Sequence, residues 1–163
     1  MTQVLHTIEP IYDENSRVLI LGTMPSPKSR EAQFYYAHPQ NRFWPTLAKV
    51  LSSPLPLTRD DRRALALENN IAIWDVLQSC EIDGASDASI RSAVPNDLTR
   101  IFDAADIRAV FCTGKKSFEL YNRHCLHRMT ELEAICLPST SPANRRVRDE
   151  ELLTAYSQIT KYL

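Results

Sequence analysis

The sequence predicts a three-layer α/β/α domain around a four-stranded parallel sheet. Two observations carry this expectation. Four short apolar runs, Val18–Leu21, Ile71–Val76, Arg108–Thr113 and Ala134–Leu137, are continuous rather than alternating, as strands buried on both faces are. Segments with apolar residues at helical spacing separate them, and strands separated by helices pair in parallel through crossovers.

Taken in order, residues 1–16 read as an irregular lead-in, with Pro10 and the polar Asp13–Ser16 before the first strand. That strand ends at Gly22, and a Pro/Ser-rich turn, Thr23–Pro27, opens a long loop. Trp44, Leu47, Ala48 and Leu51 recur at i, i+3, i+4 and i+7, which predicts a helix starting at Asn41 or Arg42. Thr58 with Asp61 three residues on resembles a capping box for a helix to about Glu68. After the second strand, Leu77–Val94 is the least regular stretch; Asn96 then reads as the N-cap of a helix carrying Leu98, Ile101, Phe102 and Ala105. Phe118, Tyr121 and Cys125 give the next helix its apolar face, and Leu152, Ala155, Tyr156, Ile159 and Leu163 line the last.

At 163 residues, one domain spanning 1–163 can bury about two-thirds of its unfolded surface without staples. The 44% hydrophobic and 24% charged content is ordinary for a globular chain. With a net charge of −1, nucleic-acid binding would require the basic residues to gather on one face. No apolar stretch approaches a membrane span and no secretory core opens the chain, so we expect a soluble protein of the cytoplasm. Cys80, Cys112, Cys125 and Cys136 form no C-x-x-C; Cys112 and Cys136 fall in runs that read as core strands. His124, Cys125 and His127 read as a helix end rather than a zinc site.

Ligands of open parallel sheets bind beyond the carboxyl ends of the strands. At that edge the sequence sets Lys28, Arg30, Tyr36, Asn41 and Arg42 after the first strand. Lys115 and Lys116 follow the third, and Ser139, Ser141, Asn144, Arg145, Arg146 and Arg148 follow the fourth. Cations interleaved with aromatics and hydroxyls make a nucleic-acid footprint. Asn41 can orient a water or bond a departing base without titrating; it can equally cap the helix that begins beside it.

The stretch Gly22-Thr23-Met24-Pro25-Ser26 after a strand, followed by Tyr35-Tyr36-Ala37-His38-Pro39-Gln40-Asn41-Arg42-Phe43-Trp44 and a distal Leu137-Pro138-Ser139-Thr140-Ser141-Pro142-Ala143-Asn144, resembles the two signature loops of the uracil-DNA glycosylase superfamily. The nearest likeness is to its hypoxanthine (deoxyinosine) branch. The resemblance implies a monofunctional DNA glycosylase of base excision repair that flips a deaminated base and hydrolyses its glycosidic bond. We expect a monomer that acts on DNA without metal or organic cofactor, and the cysteine spacing argues against the iron–sulfur cluster of some branches. It implies Asn41 as the catalytic residue, and Gly22, Thr23, Met24, Tyr36 and Asn144 around the base, with Tyr36 stacking on it. Pro25, Ser26, Lys115, Ser139, Thr140, Ser141, Arg145 and Arg146 would hold the DNA.

Two positions depart from the superfamily pattern. Met24 stands where most members carry Asp or Asn, and Leu137 where His or Asn often precedes Pro-Ser. Both departures remove side chains suited to uracil. Two other readings fit the same residues: a glycosylase of this fold preferring uracil or a mismatched base, and a catalytically weak DNA- or nucleotide-binding module.

Overall fold

The computed structural model describes residues 2–163. In chain order its strands are β1 (Thr2–Leu5), β2 (Val18–Gly22), β3 (Ile71–Asp75), β4 (Leu77–Asp83), β5 (Ser86–Pro95), β6 (Ala109–Thr113) and β7 (Ala134–Leu137). Its helices are α1 (Pro27–Ala32), α2 (Phe43–Val50), α3 (Arg59–Glu68), α4 (Thr99–Phe102), α5 (Lys115–His124) and α6 (Asp149–Tyr156), and a 3₁₀ turn over Ser157–Tyr162 follows.

The four expected strands form the central parallel sheet in the order β3-β2-β6-β7. Helices flank it. All five residues of β2 and of β3 are buried, so their continuous apolar character is what burial under helices requires. Thr58 Oγ caps α3 by accepting from the Asp61 amide at 3.0 Å. Cys136 departs from expectation: it is exposed, because β7 is an edge strand with one neighbour, whereas Cys112 beside it is fully buried.

A second, three-stranded antiparallel sheet, β1-β4-β5, was not foreseen. The N-terminal residues are no irregular lead-in. β1 pairs with β4, and Ile11 exchanges both backbone hydrogen bonds with Ile73 (2.9 and 2.8 Å) on the outer edge of β3. The stretch 77–94 is a hairpin whose two-residue turn begins at Gly84, with φ of 56°. Glycine adopts such positive φ at little cost, and glycine at the first of the two turn positions, here Gly84-Ala85, suits a tight hairpin. The alternation of buried and exposed side chains along β4 is broken between Leu77 and Cys80, register shifts interrupt its pairing, and no side chain of β5 is fully buried.

Two further corrections concern helix starts. Pro25-Ser26-Pro27 opens α1 rather than a turn: Ser26 Oγ accepts from the Ser29 amide (3.2 Å) and Pro27 takes the first helical position. Asn96 caps no helix. It is buried, and its Nδ2 donates to the carbonyls of Asp75 (2.9 Å) and Leu77 (3.0 Å). α4 begins later, where Asp97 Oδ1 accepts from the Thr99 amide.

Candidate active site

A cavity of about 420 Å³ opens at the carboxyl ends of the central strands, where chain reversals leave a crevice in sheets of this kind. Gly22 ends β2, Asp75 ends β3 and Thr113 ends β6, and all three line the cavity. Ser139 and Thr140, after β7, complete that side. The tip of the β4–β5 hairpin closes the opposite side with Gly84, Ala85 and Asp87.

The floor is built around a close approach. A Cβ placed on Gly22 would stand 2.5 Å from Asp75 Oδ1 and 3.3 Å from the Tyr36 hydroxyl, so the backbone here must be glycine for those groups to converge. Asp75 Oδ2 is bonded to His6 Nε2 at 2.7 Å, with the His6 and Asp75 side chains only 1% and 6% exposed. Neither residue was singled out in the sequence. The signal was a lone carboxylate closing an otherwise apolar strand, Ile71-Ala72-Ile73-Trp74-Asp75. His6 carried none, since its place beside Asp75 follows from the unforeseen β1–β4 pairing.

Tyr36 adopts a positive φ of 53°, which turns its ring back over the sheet edge. The ring stacks on Phe43 with centroids 3.8 Å apart, and its hydroxyl shares a 3.2 Å hydrogen bond with Thr113 Oγ1. Burial, with Asp75 adding to it, pushes the phenol well above its ordinary pKa, so it stays neutral. Phe43 covers one face of the ring; a base can stack only on the other. Met24 is half-buried and also lines the cavity, as do Thr23, Pro25 and Ser26.

Asn41 sits where the loop enters α2. Its Oδ1 accepts from the Phe43 amide at 2.9 Å. Only the amide oxygen can accept that bond, so the side chain's orientation is fixed and Nδ2 is the end free to donate. Asn41 lines the cavity. The capping and chemical readings of this residue are therefore compatible.

The loop after β7 is held by Arg42. Its guanidinium donates to the carbonyls of Val147 (2.7 Å) and Asn144 (3.0 Å) and pairs with Asp149 at 3.1 Å. Its amide donates to the Thr140 carbonyl at 3.2 Å. Within the loop, Ser139 Oγ accepts from the Ser141 amide and Ser141 Oγ from that of Ala143. Ser139, Thr140 and Ser141 line the cavity; Asn144 does not, and its Nδ2 is spent on the Ser139 carbonyl at 2.9 Å. Arg145 and Arg146 are exposed on this loop, Arg145 beside a second hollow shared with Gln40, Arg42, Ser141 and Pro142. Lys115 is exposed at the start of α5, off the cavity lining.

A family model described as the Uracil DNA glycosylase superfamily matches residues 9–161. The chain belongs to the uracil DNA glycosylase superfamily. It is 34% identical over 139 residues to the Hypoxanthine DNA glycosylase of Methanosarcina barkeri, covering 84% of this chain and 86% of that one. It is 32% identical over 138 residues to the Hypoxanthine DNA glycosylase of Methanosarcina acetivorans, covering 83% and 85%. Its fold superposes with a TM-score of 0.80 on a solution NMR structure from Methanosarcina acetivorans described as a candidate uracil DNA glycosylase, at 28% identity over 97% of this chain and 99% of that one.

Within this superfamily site, the two departures have different structural weight. Met24 faces the cavity, so an apolar side chain stands where a polar one is usual. Leu137 is fully buried and does not line it, so its loss of polarity shapes the core rather than the cavity. Among the described residues no group of three or more His, Cys, Asp and Glu side chains is placed to hold a metal ion. No helix among them is long and apolar enough to cross a membrane.

Proposed function

We propose that this superfamily member is a monofunctional DNA glycosylase that removes hypoxanthine from deoxyinosine-containing DNA. The observation that carries the reading is Asn41: a donor of fixed orientation at a cavity sized for a single small ligand. The names of the Methanosarcina relatives supply the base.

The target carbon is out of reach within the stack, so the nucleotide is flipped into the cavity and its base stacks on the free face of Tyr36. The bond between C1′ and the base nitrogen breaks with its electron pair leaving on the base. Water adds its oxygen to C1′; one of its protons stays on the new hydroxyl and the other passes to the departed base. Asn41 Nδ2 donates to the departing base as charge develops on it, which favours the transition state over the bound substrate. Met24 puts no polar group over the base, a surface tolerant of a purine and poor at reading a pyrimidine's carbonyls.

Single-turnover excision on otherwise identical oligonucleotides tests this reading. Hypoxanthine should be released well above uracil from single- and double-stranded substrates, at rates unchanged by EDTA. A clear preference for uracil would overturn the substrate assignment.

Arg145 and Arg146 are read as binding backbone phosphates beside the cavity. Neutralising both should weaken binding to any sequence and reduce the slope of log affinity against log salt by about 0.9 for each phosphate no longer neutralised. An unchanged slope would place them off the DNA.

A further inference from the structure

The proposed chemistry needs a group that takes a proton from the attacking water, and the cavity residues can be taken in turn for that role. Met24, where Asp or Asn is usual, offers only a thioether. Asn41 and the hydroxyls on the wall can hold a water but do not take its proton. His38 accepts from the Gln40 amide through Nδ1 at 3.0 Å, so its own proton sits on Nε2 and that nitrogen donates. Asp75 is tied to His6 at 2.7 Å, on the floor by Gly22. Asp87 remains. It is the second residue of β5, at the tip of the hairpin, and it lines the cavity. No hydrogen bond among the described residues occupies its carboxylate oxygens.

Its placement suits the role. Asn41 lies with the loop after β7, since the neighbouring Arg42 amide donates to the Thr140 carbonyl at 3.2 Å. The hairpin tip forms the wall across from that loop. A leaving base and its nucleophile meet C1′ from opposite faces, so a donor to the base and an acceptor for the water belong on opposite walls. We propose that Asp87 is a second catalytic residue, the general base that orients the attacking water and takes its proton. The inference rests on the glycosylase reading above. As the bond to the base breaks, the Asp87 carboxylate accepts one proton of the water, the oxygen bonds to C1′, and the other proton stays on the new hydroxyl. The accepted proton then passes to the departed base, which restores the carboxylate. The negative charge also favours the positive charge that develops on the sugar. Asp87 is open to water in the free protein, yet the wall around it desolvates the carboxyl and raises its pKa, with Lys116 opposing the rise and Asp75 adding to it. A raised pKa makes the carboxylate a stronger base.

Single-turnover release of hypoxanthine is measured against pH for wild type, Asp87→Asn and Asp87→Ala, with melting curves and affinity for undamaged duplex alongside. Asp87→Asn keeps the shape and loses the base. Its rate should fall by at least about 10²-fold, the usual contribution of a general base, while folding and DNA affinity hold. The wild-type rate should decline as pH falls through the Asp87 pKa, because protonation removes the base, and Asp87→Asn should lack that decline. Cys80 on β4, Asp75 on β3 and Lys116 on α5 are the titratable groups within reach of its charge, and Lys28 and His38 share the cavity wall. All of them remain in the variant, so the limb that disappears belongs to Asp87. Asp87→Ala leaves a space in which added formate can act, and its rate should rise with formate concentration, whereas Asn41→Ala should gain nothing. A folded Asp87→Asn with the wild-type rate, a slow one that keeps the acid limb, or an Asp87→Ala that formate leaves unchanged would each overturn the Asp87 assignment while wild-type release leaves the glycosylase reading standing. A wild type that releases no base would remove both.

Discussion

Asn41→Asp is expected to fold like wild type and to lose about 10²–10³ in single-turnover rate, the usual cost of removing one positioned donor from such a site. The substitution separates the two roles of the residue. Its carboxylate can still accept from the Phe43 amide as Asn41 Oδ1 does at 2.9 Å, and a negative charge at a helix start is favourable. What disappears is the Nδ2 donor. Asn41→Ala loses both, so it should show the same rate defect plus about 1 kcal/mol of stability from the missing cap. Melting curves and single-turnover rates on the two variants distinguish these contributions. A wild-type rate for Asn41→Asp would reduce Asn41 to a helix cap.

Gly22→Ala is expected to cost about 1–3 kcal/mol of stability, as overpacking of a filled site does, and about 10²-fold in rate through misplaced groups. The new methyl carbon would stand 2.5 Å from Asp75 Oδ1, and the sheet leaves β2 little freedom because β3 and β6 pair with it on both sides. Asp75 must therefore swing away, breaking its bond to His6 and entering the space of the base, or the strand must shift. Thermal melting together with single-turnover kinetics measures both effects. A variant with wild-type stability and rate would show that the floor is not as closely packed as the distances indicate.

The central sheet could be read from the sequence because burial on both faces leaves an unbroken apolar run, and β2, β3, β6 and β7 all have one. The β1–β4–β5 sheet could not. Its strands are held by backbone pairing around mostly polar side chains, and bulges in β4 break the alternation that would have marked it. The Asp83-Gly84 pair was the visible trace of the hairpin, and Ser26-Pro27 that of α1. Around the cavity, motif residues such as Gly22, Tyr36, Asn41 and Ser139 do converge. Asp75 was hidden because a strand-end carboxylate looks like a strand terminator, and its partner His6 is 69 residues away in the chain. Arg42 shows the opposite error: it read as a free cation at the ligand edge, yet its guanidinium is committed to the second loop. Sequence order reveals which edge a charge reaches, but not whether a carbonyl has already claimed it.

The central claim is release of a free base. Mass spectrometry of the products from an oligonucleotide with one deoxyinosine tests it most directly. The account expects free hypoxanthine and an intact strand bearing one abasic site, in equal amounts. Intact deoxyinosine DNA after prolonged incubation with folded protein, or a cleaved strand that still carries hypoxanthine on its sugar, would contradict it.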